Sequence, residues 1–258
     1  MLADLFDALR RWRLIHLIGV SNLRGRYARS RVGQLWVTVA NAIFIIAIGT
    51  IWSWIWRMDI DRYLPYVGAG FVIYVFLSQC INESASVLVA DSRIFMNDRR
   101  PFILAILAMI YRNLIILAHN VPIIICLVLW SDSARFAPDW RLIPAVLLSV
   151  TFLVFFCYGL SIVCARFRDL IQIVNLIVQV SFLLTPVMWY MRSLPEKHHV
   201  WLYVFNPIAA ILEVLRDPLI GETVATMPYI SLAGWAAAAV SFGLGMHRIF
   251  GRRIIFWL

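Results

Sequence analysis

The chain has 258 residues, of which 62% are hydrophobic and 14% are charged, and its net charge is +9. Soluble domains are about 45–50% apolar, so this composition excludes an ordinary soluble domain and predicts an all-α protein that folds in a lipid bilayer. The basic residues stand in short segments between long apolar runs, which excludes the continuous basic face of a nucleic-acid-binding domain.

The N-terminal segment, residues 1–31, is first amphipathic and then basic. Its apolar residues recur at helical spacing, so we expect a helix lying in the membrane interface rather than a cleavable signal peptide. The apolar stripe consists of Leu2, Leu5, Phe6, Leu9 and Trp12. Four arginines follow, namely Arg24, Arg26, Arg29 and Arg31. They are either topology-setting charges or a basic collar that draws an anionic lipid-linked substrate to a channel entrance.

Six apolar stretches are long enough to cross a bilayer, which takes roughly 20 residues of helix. They cover residues 34–56, 64–90, 102–130, 141–164, 170–190 and 228–247. No internal repeat or low-complexity linker divides the chain, so residues 1–258 are predicted to form a single membrane domain. Outside the spans, 15 basic residues lie on the side of the termini and seven on the other, which predicts that both termini are cytoplasmic.

A charged segment, residues 91–101, separates the second span from the third on the predicted cytoplasmic side. It has the length of a short helix and ends at Pro101, which restarts the chain. A plain turn would need fewer residues, so we interpret the segment as an organised cytoplasmic helix. The residues that it presents are Arg93, Ile94, Phe95, Asp98, Arg99 and Arg100.

Residues 191–227 lie between the fifth and sixth spans on the predicted outer side. They are half apolar, but Pro195, Pro207 and Pro218 break them too often for two crossings. Two short helices that dip into the outer leaflet fit this pattern, and Asn206-Pro207 is a typical helix start.

Three ionisable residues fall inside predicted spans, where charge is costly and usually functional. They are Glu83, Arg112 and His119. Glu83 and Arg112 lie at depths that allow them to pair across spans two and three. A structural salt bridge, a proton or ion relay and a polar channel lining all remain open for this pair.

Motifs for enzymatic chemistry are missing or weak. The only lysine, Lys197, is followed by His198, so the chain has no Walker A motif and we expect it not to hydrolyse ATP. Asp59-Ile60-Asp61 matches the DxD pattern of glycosyltransferases, but the topology places it outside the cell. The four cysteines lie in apolar runs and are interpreted as small buried hydrophobes. No metal site and no cofactor are expected in this chain.

Four stretches of the chain resemble the transmembrane subunit of ABC-2-type exporters of cell-surface polysaccharides. "LRGRYARSRVGQLW" is similar to the basic stretch that leads into the family's first span. "NESASVLVADSRIFMNDRRPFILA" is similar to its span-two end, cytoplasmic helix and proline, and "ARFRDL" to the turn between spans four and five. The stretch from "SFLLTPVMWYM" to "VLRDPLIG" resembles the outer re-entrant region in both order and spacing.

The resemblance implies a homodimer that works with two copies of a cytoplasmic ABC ATPase, which binds ATP and Mg²⁺, at a bacterial inner membrane. It makes residues 91–101 the coupling helix, with Ile94 and Phe95 seated in a cleft of the ATPase. The implied function is export of a lipid-linked polysaccharide, with lipopolysaccharide O-antigen as the first candidate. The alternatives are capsular polysaccharide, teichoic acid or another amphiphile.

A channel at the dimer interface would be lined by aromatic rings, whose faces match the apolar faces of sugar rings. The candidates are Trp36, Phe44, Phe71, Tyr74 and Phe182. For each of them, lipid contact or core packing is the alternative interpretation. The rival from another class is an integral-membrane transferase, which would need convergent carboxylates or a nucleophile–base set, and the sequence shows neither.

Overall fold

The computed structural model describes residues 2–27, 33, 35–90, 101–136, 139–251 and 253–257. Within these residues the chain forms α-helices, short 3₁₀ segments and loops, with no strand, as the composition predicts. The α-helices are α1 (Leu2–Arg10), α2 (Trp12–Tyr27), α3 (Leu35–Trp56), α4 (Ile60–Ala90), α5 (Ile103–Trp130), α6 (Leu142–Arg166), α7 (Leu170–Leu184), α8 (Glu196–Phe205), α9 (Pro207–Arg216) and α10 (Thr226–Phe250).

Five of these helices, α3, α4, α5, α6 and α10, are long and apolar enough to cross a membrane, which confirms five of the six predicted spans. The remaining one, residues 170–190, is wrong in its length, because α7 ends at Leu184. Its 15 residues extend about 22 Å, short of a hydrocarbon core of roughly 30 Å. The cause is Pro186: a proline forces the preceding residue out of the helical conformation, and Thr185 is extended with ψ at 140°.

Helix α4 is the centre of the bundle and packs against α3, α5, α6, α7 and α9. Gly68 leaves room for neighbouring side chains, because a Cβ at this position would lie 2.2 Å from Cδ1 of Leu127 and 3.3 Å from Cγ2 of Ile45. Helix α3, in contrast, lies at the periphery and exposes most of its apolar side chains. The central position brings polar side chains at both ends of α4 into contact with several other helices.

The N-terminal segment forms two helices, α1 and α2, which meet at Arg11. Helix α2 packs along α5 at Gly19, where a Cβ would lie 3.1 Å from the carbonyl oxygen of Ala108. Phe6 and Trp12, two members of the predicted apolar stripe, are 66% and 62% exposed. These two side chains are therefore available to a membrane interface.

Two sets of predicted site residues lie outside the described residues. One set is the coupling-helix candidates Arg93, Ile94, Phe95, Asp98, Arg99 and Arg100, and the other is the last two collar arginines, Arg29 and Arg31. Their roles stay predictions. The restart of the chain after the charged segment is described, since α5 begins at Ile103, two residues after Pro101.

Residues 191–227 contain two short helices, α8 and α9, as predicted, and these meet at an angle of 108°. Asn206 caps α9, because its side-chain oxygen accepts a hydrogen bond from the backbone N–H of Ala209 at 3.2 Å. Pro207 follows in the first turn, where a missing N–H does no harm. The predicted helix start at Asn206-Pro207 is thus confirmed, and the sharp bend leaves space beneath the two helices.

Candidate functional site

An ion-pair centre lies near the C-terminal end of α4 and consists of Glu83, Arg26, Arg112 and Asn113. Oε1 of Glu83 accepts a hydrogen bond from Nη2 of Arg26 at 2.6 Å. Oε2 accepts from Nδ2 of Asn113 at 2.7 Å and from Nη2 of Arg112. The structure therefore brings together the two residues that the sequence places at matching depths, and it adds Arg26 from α2.

The ion-pair centre joins three helices, α2, α4 and α5, through one carboxylate. The side chains of Glu83 and Arg112 are only 21% and 11% exposed, so either charge would be costly without its partner. Arg26 is 43% exposed, and its contact is more strongly screened by solvent. A carboxylate bound by two guanidinium groups is held in its ionised form, which favours a joint between helices over a proton relay.

The arginines of the predicted basic collar differ in their contacts. Arg26 directs its guanidinium to Glu83. Arg24 is exposed on the last turn of α2 and makes no salt bridge with the residues that the structure describes. The collar as a substrate-attracting surface therefore depends on Arg24 and on the two arginines outside the described residues.

Buried polar atoms without a hydrogen-bond partner surround the ion-pair centre. Within the described part of the chain they are Oε1 of Gln79, Oδ1 of Asn82, Nε of Arg112 and Oδ1 of Asn113. Gln79, Asn82 and Glu83 share one face of α4, since residues three and four apart are neighbours on a helix. An unpaired buried polar group costs about 1–3 kcal/mol, so this cluster points to a functional region of the bundle.

An aromatic cluster connects α3, α4 and α7. Phe44 stacks on Phe71 with ring centroids 4.6 Å apart, and Phe71 meets the edge of Phe182 at 6.2 Å. Tyr74 also meets Phe182, at 5.1 Å. Trp36 is 65% exposed near the start of α3 and makes no ring contact with the other four. Four of the five channel-lining candidates are therefore in contact with one another.

Tyr74 does not face an open path within this single chain, and its assignment to a channel lining stays a prediction. The residue is 5% exposed, and its hydroxyl donates to the carbonyl oxygen of Val178 and bonds Oγ of Ser181 at 2.8 Å. Phe71 and Tyr74 share a helix face, but α7 covers the part of that face that carries Tyr74. Phe44, which is 40% exposed, is the most accessible ring of the cluster.

A cavity of about 250 Å³ lies between the N-terminal half of α4 and the α8–α9 pair, and its lining includes charged and tyrosine side chains. We call it the outer cavity, after the predicted outer side of residues 191–227. Arg216 forms its floor and is 1% exposed. Its Nε donates to Oδ1 of Asp217 at 2.7 Å, and its Nη1 donates to the carbonyl oxygen of Pro186 at 2.6 Å. Its guanidinium carbon also lies 3.8 Å from the ring centroid of Tyr66. Arg216 is thus paired by charge, hydrogen bond and ring face.

Three further side chains that line the outer cavity are buried or nearly so. Glu213 is 8% exposed, and its Oε2 accepts a hydrogen bond from the hydroxyl of Tyr203. Tyr190 lies outside the helices, with its ring 4.2 Å from that of Tyr66. Burial raises the pKa of Tyr190, so its hydroxyl stays protonated. Sequence reasoning missed this cavity, because its lining residues come from five separate segments of the chain.

The weak motifs of the sequence have structural roles. Asp61, the second acid of the DxD pattern, accepts the backbone N–H groups of Asp132 and Ser133 at 3.0 and 2.9 Å and so fixes the loop after α5. No group of three metal-binding side chains occurs among the residues that the structure describes. The cysteines are free thiols, buried at Cys80, Cys157 and Cys164 and exposed at Cys126.

A bundle of long apolar helices around one central helix, with ionic and polar groups buried inside it, is typical of an integral membrane transport subunit. The profile of the ABC-2 type transporter family matches residues 13–220. The match covers most of the sequence, and the chain belongs to this family.

Curated relatives agree with the family match. The O-antigen export system permease protein RfbA of Klebsiella pneumoniae is 24% identical over 224 residues, which cover 85% of this chain and 84% of that protein. A second Klebsiella pneumoniae protein of the same name is 25% identical over the same length. The protein of that name from Myxococcus xanthus is 22% identical over 194 residues, or 74% of each chain. The resemblance seen in the sequence is confirmed.

Family membership decides between transport and catalysis. As a membrane subunit of an ABC-2 type transporter, the chain is a transport subunit and not an enzyme, and ATP hydrolysis belongs to a separate ABC ATPase subunit. The integral-membrane transferase considered from the sequence is therefore set aside. The helices that carry the ion-pair centre lie within the residues that match the transporter family.

Proposed function

We propose that this chain is the channel-forming permease of an ATP-driven transporter that exports lipid-linked O-antigen polysaccharide across a bacterial inner membrane. The observation that carries the proposal is the name shared by the three relatives, each an O-antigen export system permease, over 74–85% of this chain. The family match at residues 13–220 spans the ion-pair centre, the aromatic cluster and the α8–α9 pair.

The exposed apolar faces support a homodimer with the polymer path between the protomers. Helices α3 and α7 both expose large apolar side chains next to the aromatic cluster. These include Ile43, Phe44, Ile46, Leu176, Ile177 and Leu183. Within such a path, the rings of Phe44, Phe71 and Phe182 would contact the apolar faces of sugar rings. Ring faces do not select one sugar by hydrogen bonding, so this lining would guide a long polymer without holding it.

The position of residues 91–101 supports a contact with two cytoplasmic ATPase subunits. Helix α4 ends at Ala90 and leads directly into this segment, seven residues beyond Glu83. A displacement of the segment would therefore reach the ion-pair centre through one continuous helix. The arginine distribution supports a cytoplasmic location of the segment and of both termini, with α8 and α9 re-entrant from the outer side.

Deletion of the gene in its host tests the exported substrate. We expect deletion to remove long polysaccharide from the cell surface while lipid-linked polymer accumulates inside, and the plasmid-borne gene to restore export. Antibody or lectin labelling of intact and permeabilised cells measures both pools. Loss of capsule or teichoic acid with O-antigen intact would show that the exported substrate is that polymer and not O-antigen. Unchanged surface glycans would contradict the proposal.

Charge reversal in the coupling segment tests the ATPase contact. Arg99→Glu combined with Arg100→Glu should reduce co-purification of the ATPase and stop export, because both charges at the contact are inverted. The matched control is Arg248→Glu with Arg253→Glu, which inverts two exposed arginines near the C-terminus. Membrane insertion should stay normal in both variants. Equal ATPase recovery from the two variants would remove the coupling assignment.

A further inference from the structure

We propose that the outer cavity binds a single sugar residue of the exported polymer, an inference that rests on the proposed function. The cavity lies at the N-terminal end of α4, whereas the coupling segment follows the C-terminal end of the same helix. Tyr66 and Glu83 are 17 residues apart, which corresponds to about 25 Å along a helix. The site is thus on the side of the bundle where the polymer would emerge.

The size of the outer cavity restricts its ligand. Its volume of about 250 Å³ lies below the roughly 300–1,000 Å³ of pockets for drug-sized molecules. A six-membered sugar ring is in this size range, whereas a polyprenyl chain or a folded peptide is too large. The charged side chains in the lining also disfavour an acyl chain, which can form no hydrogen bond with them.

Two buried carboxylates supply hydrogen-bond acceptors to the outer cavity. Oε2 of Glu213 accepts from Tyr203 and Oδ1 of Asp217 accepts from Arg216. The second oxygen of each carboxylate makes no hydrogen bond with the residues that the structure describes. Glu213 and Asp217 are 8% and 6% exposed as residues, but these two oxygens are not among the fully buried atoms without a partner. A molecule in the cavity can therefore reach them. A ligand that donates two hydroxyl groups would satisfy both acceptors.

The remaining lining also suits a hydroxyl-rich ligand. Tyr190 lines the cavity, and its hydroxyl makes no hydrogen bond within the described ranges. A phenol both donates and accepts, so it can bond a neighbouring sugar hydroxyl. Arg192 also lines the cavity and adds further donors, whereas Nε2 of His199 already donates to the carbonyl oxygen of Leu194 at 2.9 Å. Carboxylates, a phenol and cationic donors around a small space are complementary to the alternating O–H groups of one sugar.

A bound metal cation is the competing occupant, and the geometry favours it less. No three side chains of the His, Cys, Asp or Glu type come together among the described residues, although divalent cations need several oxygen ligands. Arg216 already places a positive charge against Asp217 at 2.7 Å. A neutral polyol needs no additional counter-charge, so it is the occupant that the existing charges accommodate.

Binding is measured by saturation-transfer NMR on the whole complex of permease and ATPase in lipid nanodiscs. The probes are D-glucose, D-galactose, D-mannose, L-rhamnose and N-acetyl-D-glucosamine, offered one at a time. We expect at least one of them to receive saturation from the protein. Glu213→Gln together with Asp217→Asn should weaken its binding about tenfold, because bonds to charged acceptors are replaced by weaker neutral ones.

A second variant keeps the charges and fills the space instead, because altering the partners of Arg216 risks unfolding the region. Ala225→Trp places an indole at the exposed rim of the cavity and should abolish sugar binding. Thr226→Trp is the matched control, since Thr226 is the next residue, is also exposed and does not line the cavity.

Three results would overturn the inference. These are a wild-type complex to which no sugar binds, equal binding by Ala225→Trp and Thr226→Trp, and displacement of the sugar by millimolar calcium. Any of them together with normal export would remove the sugar site and leave the proposed function intact. Failure of the proposed function shows separately, as unchanged surface glycans in the deletion strain.

Discussion

The two polar ends of α4 use their charges in different ways. At the C-terminal end, protein donors occupy both oxygens of Glu83, two of them guanidinium groups from α2 and α5. At the N-terminal end, Arg216 bonds Asp217 and the carbonyl oxygen of Pro186, but Glu213 and Asp217 each keep one oxygen that no described residue occupies. The first end is a closed joint, and the second is an open cavity of about 250 Å³.

The difference follows from the helices that surround each end. Around Glu83, the long helices α4 and α5 run side by side and α2 packs against α5, so side chains meet directly. Around Arg216, the chain is broken at Asn206 and turns by 108°, and two short helices cannot fill the space beneath a bend. Closure at one end suits the transmission of force, and space at the other suits binding of a ligand.

Replacement of Arg216 should have the largest effect on stability. Arg216→Met leaves Asp217 and Glu213 buried without their cation, so we expect a loss of about 3–5 kcal/mol in the free energy of unfolding. Chemical unfolding in detergent, followed by tryptophan fluorescence, measures it. Arg192→Met is the control, since Arg192 is 76% exposed in its contact with Glu222 and should matter little. Equal stability of the two variants would show that the outer cavity does not depend on its buried cation.

Substitutions in the ion-pair centre should lower stability less than Arg216→Met does, and their effects should be coupled to each other. Glu83→Gln and Arg112→Gln should each destabilise the protein by about 1–3 kcal/mol, because each leaves a partner without its charge. In the double variant the losses should not add, and a coupling energy of about 1 kcal/mol or more would show contact. Arg24→Gln serves as the control outside the centre. Strictly additive losses would mean that Glu83 and Arg112 do not interact in solution.

The sequence predicts part of the ion-pair centre, namely Glu83 and Arg112, but it does not predict the outer cavity. Charges inside apolar runs are rare, so Glu83 and Arg112 stood out, and their depths could be compared directly. Arg26 lies 57 residues before Glu83 in a stretch rich in arginine, and no local pattern distinguishes it from Arg24. The outer cavity gathers Tyr66, Tyr190, Glu213 and Arg216 from segments whose relative positions only the packing fixes.

Helix boundaries show what apolar composition predicts and what it misses. The apolar runs predicted five spans closely because length and composition alone determine them. The fifth span was predicted to reach residue 190, yet the corresponding helix, α7, ends at Leu184. The apolar composition continues past Pro186, but the helical backbone conformation does not. Helical spacing places Tyr74 on one face with Phe71, but it cannot show that α7 covers Tyr74 within the chain.

The aromatic cluster lies between the two ends of α4. Substitutions in it should have the smallest effects on stability, and these effects should distinguish the packed ring of Tyr74 from the accessible ring of Phe44. Tyr74→Phe keeps the ring against Phe182 and removes only the hydroxyl bonded to Val178 and Ser181, so it should cost about 1 kcal/mol of stability and leave export unchanged. Phe44→Leu should cost less than about 0.5 kcal/mol, as an exposed site, yet slow export by removing an accessible ring face. Unfolding in detergent and the rate at which surface polysaccharide reappears after induction measure the two quantities separately. If Tyr74→Phe slows export while Phe44→Leu does not, the polymer path runs along the inner side of the cluster, against α7, and the assignment of Phe44 as its lining is wrong.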